Sequence, residues 1–149
     1  MARPVSVRRF YRVAALLPLA GLAVAAVLHA RSAEALPDGW DWVYPTSISR
    51  SVIAYGVLAA WLWMQLDRRP ARDIPRLLWR APVIYVLLGW ALMFGLALVR
   101  GRVGELWAEH AGAILVRTAV HLVVGLGYVA MVHVALAALR NDGRVADPA

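Results

Sequence analysis

Ala81–Val99 reads APVIYVLLGWALMFGLALV, nineteen residues without a charge between Arg80 and Arg100. At ~1.5 Å of rise per residue, a helix of this length covers nearly all of the ~30 Å hydrocarbon layer of a bilayer. The run is continuous and apolar rather than alternating, and it is too long for a strand. The stretch is therefore expected to be a transmembrane helix.

Three further blocks of the same kind flank it: Val13–Ala30, Ile48–Leu66 and Ala113–Leu139. They account for a chain that is 62% hydrophobic, where a soluble domain has about 45–50%. The connections, Arg31–Ser47, Asp67–Arg80 and Arg100–Gly112, are short, so neighbouring helices are expected to run antiparallel. The expected fold is an all-α integral membrane protein, a four-transmembrane-helix bundle forming a single membrane domain over 1–149. Residues 141–149 are expected to be a polar, disordered tail.

All 16 basic residues are Arg. Eleven fall in the N-terminal segment, the second connection and the C-terminal tail, and four lie at the opposite ends of the helices. The positive-inside rule then puts both termini in the cytoplasm, across a bacterial inner membrane. Phe10, Tyr11, Trp40, Trp42, Tyr44, Trp61, Trp63, Trp79 and Trp107 fall near the expected interfaces, where amphipathic rings collect. Trp90 falls in mid-helix. The net charge of +7 does not point to nucleic acid, because the Arg residues flank the spans rather than line one soluble face. Arg8, Arg9 and an apolar run before Ala33-Glu34-Ala35 resemble a cleaved signal peptide. The run of about 18 residues exceeds the usual ~7–15 of a signal core, so a retained span is expected.

The chain has no cysteine, which excludes thiol catalysis and Cys-ligated metal. Asp and Glu occur only in connections and tails, so no spanning carboxylate is available for proton coupling. Glu105, Glu109 and His110 form a loosely metal-like string that reads as an interfacial turn paired with Arg100 and Arg102. No catalytic constellation is present, and no enzyme is expected. Neither a cofactor nor a metal is expected.

The polar residues within the spans are few. Arg117, His121, Gly125, Tyr128 and Val132 recur at helical spacing and share a face of the fourth helix. Pro18, Gly21, Ala25 and His29 share a face of the first. By depth and phase, His29, Arg50, Tyr55, Arg117 and His121 are expected to meet in one outer-half pocket. The plain alternative is that Arg117 snorkels to the headgroups and that His121 bonds a backbone carbonyl. His121 and His133 are about 18 Å apart along one helix and cannot ligate one haem iron together.

Three functional readings follow. The first is a non-enzymatic subunit or accessory component packed against a larger membrane complex, a second copy or lipid. The second is a binding protein or transporter for a small anionic or lipid ligand in the Arg/His pocket. The third is an electron-transfer subunit holding haem or pigment through His29 or His121.

Overall fold

The computed structural model describes residues 5–32 and 45–146, except for the side chains of 25–26, 29–32, 45–50, 109 and 146. Four long helices dominate: α1 (Val7–Ser32), α2 (Pro45–Arg68), α3 (Ile74–Val99) and α4 (Val103–Asn141). Two-residue strands stand at the two ends of this order, β1 (Val5–Ser6) and β2 (Val145–Ala146). Each helix contains one of the four apolar blocks and runs beyond it. The extensions carry Arg8, Arg9, Arg12, Arg31, Arg68, Arg76, Arg80 and Arg140, whereas Arg50 and Arg117 fall within the apolar blocks.

Local chemistry sets where the helices stop. Pro75 lies in the first turn of α3, where a missing N–H costs nothing. Both α3 and α4 end on a left-handed glycine, Gly101 and Gly143, each at φ 67°. Gly101 N–H donates to the Leu98 carbonyl at 3.0 Å, and Arg102 N–H to Ala97 at 2.9 Å. Gly143 and Arg144 repeat the pattern on Arg140 and Leu139, at 3.0 and 2.9 Å. These paired bonds satisfy the last carbonyls of each helix, and a residue with a Cβ would be strained at the turn. The first turn folds α3 back into α4 through three residues. The second sends the chain toward its own beginning.

There β2 pairs in parallel with β1, Val5 opposite Val145 and Ser6 opposite Ala146. Within the C-terminal stretch expected to be disordered, Val145 is thus hydrogen-bonded backbone and buried side chain. The termini lie at the same end as the α2–α3 connection. Arg8 reaches the Arg69 carbonyl at 3.1 Å, and Arg12 pairs with Asp67 while lying over the Trp63 ring.

The core is concentrated at this end. Val7, Tyr11, Leu62, Leu66, Ile74, Leu77, Leu136 and Val145 form one buried cluster drawn from all four helices and β2. α2 packs on both α1 and α3, and α3 packs on α4. Elsewhere the helices turn apolar side chains outward: Val13, Leu17, Val57, Leu87, Leu98, Val123 and Val134 are all more than half exposed.

Two stretches, Ala71–Val99 and His110–Asn141, are long and apolar enough to cross a membrane, as judged among the described residues. Only 11% and 17% of their most apolar windows are buried, so neither is the enclosed core helix of a globular domain. The connection between α1 and α2, with Trp40, Trp42 and Tyr44, lies outside the described residues, as does Ala33–Ala35.

Candidate functional site

Two prolines inside helices organise the centre of the molecule, Pro18 in α1 and Pro82 in α3. Proline has no N–H, so Pro18 leaves the Ala14 carbonyl without its helical donor and loosens the next bond along the helix. Two tyrosines serve this break. The Tyr128 hydroxyl donates to the Ala14 carbonyl at 2.6 Å, and the Tyr55 hydroxyl donates to the Ala15 carbonyl at 2.8 Å. α1 is thereby pinned to both α4 and α2 at one level.

Pro82 makes a close approach instead. A Cβ placed on Gly125 would lie 2.9 Å from the Pro82 Cβ, inside any real contact. Only glycine at this position lets α4 approach α3 so closely.

Between these features lies a cavity of about 380 Å³. Its walls are almost wholly apolar: Ala14, Ala15, Pro18 and Leu22 from α1, Leu58 and Leu62 from α2, Leu78 and Pro82 from α3, Val129 and Val132 from α4. Polar atoms enter through Tyr55, Tyr85, Tyr128 and His121. From His121 to Val132 the cavity follows α4 for about 16 Å at the helical rise.

His121 Nδ1 lies 2.8 Å from the Arg117 carbonyl, one turn back on its own helix. A carbonyl accepts, so Nδ1 carries the hydrogen and donates. The ring packs edge-on against Tyr85 with centroids 5.4 Å apart, and Tyr85 in turn meets Tyr55 at 6.0 Å. One aromatic chain thus runs from the α2 tyrosine to the α4 histidine across α3.

Of the five residues expected to form one pocket, Tyr55 and His121 line this cavity. Arg117 does not line it: its side chain is half-buried and its backbone carbonyl serves His121. The side chains of His29 and Arg50 lie outside the described residues. The roles of Tyr85 and Pro82 carried no signal in the sequence. Pro18 was legible as a break, but not the hydroxyl that serves it.

No protein-family model, curated protein or solved structure matches this chain.

A second polar group lies at the packed end. His133 Nδ1 donates to the Val129 carbonyl at 2.7 Å, and its ring stacks on Trp79 at 5.5 Å. Its Nε2 and the nearby Tyr11 hydroxyl are buried without a hydrogen-bond partner among the described residues. Burial pushes the Tyr11 phenol above its ordinary pKa, and the Arg140 guanidinium pulls it partly back.

Toward the opposite end, Trp90 Nε1 donates to Thr118 Oγ1 at 2.9 Å, tying α3 to α4 in mid-helix. Arg102 Nε donates to Glu105 at 2.6 Å, an exposed pair. Among the described residues, no group of three or more His, Cys, Asp or Glu converges as metal ligands would.

Proposed function

We propose that the chain is a multi-pass membrane protein that binds a lipid-like molecule in the cavity between its helices. All four helices span the bilayer in this reading, and both termini lie in the cytoplasm beneath a bacterial inner membrane. The outward apolar surface of α3 and α4 supports insertion, because water would not tolerate so many exposed large side chains. The gathering of Arg8, Arg12, Arg69 and Arg140 around the paired termini supports the orientation.

The observation that carries the binding reading is the 380 Å³ apolar cavity. It falls within the ~300–1,000 Å³ of small-molecule sites, and its few convergent polar groups match their usual make-up. Among the described residues no catalytic set adjoins it, and the role we propose is binding or carriage. A second reading, a subunit of a larger membrane complex, is favoured by apolar side chains exposed on every helix.

Native mass spectrometry of the 16.3 kDa chain released from membranes in mild detergent separates the two. A retained small mass that is lost when Ala15→Phe fills the cavity supports binding. Excess protein mass supports the subunit. The bare chain, unchanged by Ala15→Phe, overturns the binding reading.

A further inference from the structure

The cavity has a side door. Leu17 on α1 and Val124 on α4 both line it, yet they are 59% and 65% exposed. α1 and α4 have no extensive mutual packing. They meet through the Tyr128–Ala14 bond and the Tyr11–His133 contact. The opening between them faces sideways. The packed cluster from Val7 to Val145 closes the end where the termini meet.

Four polar side chains line the cavity, Tyr55, Tyr85, Tyr128 and His121, and three of them have their hydrogens committed. The Tyr55 and Tyr128 hydroxyl hydrogens are committed to backbone carbonyls. His121 Nδ1–H is committed to Arg117. Among the described residues no carboxylate lines the cavity, and in the tautomer that puts the hydrogen on Nδ1 the other ring nitrogen, Nε2, is an acceptor. A ligand suited to this wall donates a hydrogen to Nε2 and can accept one from the hydroxyl of Tyr85, which also lines the space. It is also uncharged, because among the described residues neither an acidic side chain nor an arginine lines the space. The run of about 16 Å along α4 from His121 to Val132 accommodates an extended chain of roughly a dozen carbons.

We infer that the cavity takes a neutral long-chain alcohol of about twelve carbons, or a lipid of the same hydroxyl-headed chemistry, entering sideways between α1 and α4 and donating its hydroxyl to His121 Nε2. This rests on the reading of the cavity as a ligand site. The edge-on Tyr85 ring holds the imidazole in place, and the apolar walls below take the chain.

The test is photo-crosslinking of the purified protein in lipid nanodiscs with a diazirine-bearing twelve-carbon alcohol, competed by 1-dodecanol, dodecane or dodecanoate. Labelling is expected on the α1 and α4 segments around Leu17 and Val124, with 1-dodecanol competing about fivefold better than dodecane, the ratio expected of one hydrogen bond. His121→Phe removes that preference. Val124→Trp, a change at an exposed position, reduces labelling by blocking the opening.

Equal competition by dodecane, or stronger competition by dodecanoate, overturns the hydroxyl-headed ligand and leaves a less selective lipid site. A preference that survives His121→Phe overturns the role of His121. Labelling that spares the cavity walls, or that Val124→Trp leaves unchanged, overturns both this inference and the binding reading beneath it.

Discussion

The Tyr128 hydroxyl answers a defect 114 residues away in sequence. Without it the Ala14 carbonyl would be left in an apolar interior, since Pro18 cannot supply an N–H. Replacing Tyr128 with Phe is expected to cost about 1 kcal/mol, the scale of a hydrogen bond between helices in lipid. The cost depends on the defect. In a Pro18→Ala background residue 18 regains its N–H, and Tyr128→Phe is expected to cost less than half as much. Reversible unfolding in micelles across the four chains measures the coupling. Additive effects would show that the hydroxyl does not serve the proline break. The sequence displays Pro18 and therefore displays the need for a donor. It cannot identify the donor, because that depends on how two distant helices are rotated against each other.

At the scale of elements, the α3–α4 pair is set by contact between Pro82 and Gly125. Gly125→Leu is expected to push α4 away from α3 and to destabilise by about 1–3 kcal/mol through overpacking. Gly127, two residues on, faces open space, so Gly127→Ala is expected to be neutral or slightly stabilising. A shared loss at both positions would mean that the contact with Pro82 does not set the difference between them, since helix propensity favours both substitutions.

Much of the element layer was open to reading. Uncharged runs such as Ala81–Val99 mark helices by length and polarity alone. The glycines after α3 and α4 stand where a left-handed stop is common, although neither was singled out beforehand. Helical phase grouped His121 with Arg117. The fold uses the Arg117 carbonyl rather than its guanidinium, and spacing reports side-chain direction but not backbone partners. Val145 lies in a stretch of small and polar residues, where one valine cannot announce a strand.

At the scale of the molecule, two features can be tested against the whole architecture. The chain lacks cysteine, so single introduced thiols report on sidedness without background. Ser6→Cys, at the end where the termini pair, is expected to react only with reagents that reach the cytoplasm. Gly104→Cys, at the start of α4, is expected to react from outside. Labelling of both from one side would refute four spans. Val145→Asp would put a carboxylate among Val7, Tyr11 and Leu136, and is expected to lower stability by several kcal/mol. A melt unchanged by this substitution would mean that the pairing of the ends contributes nothing to the fold.

That pairing also constrains the order of events during synthesis. β1 is made before the four helices, and Val145, the partner of Val5, follows 140 residues later. At roughly 5–20 residues per second this is a delay of about 7–28 s. Through that interval β1 has no β2 to pair with, and the buried cluster around Val7 cannot close. Until translation has passed α4 and reached Val145, the nascent chain lacks its clasp and its cluster stays open. A ribosome stalled within α4 would leave that window open.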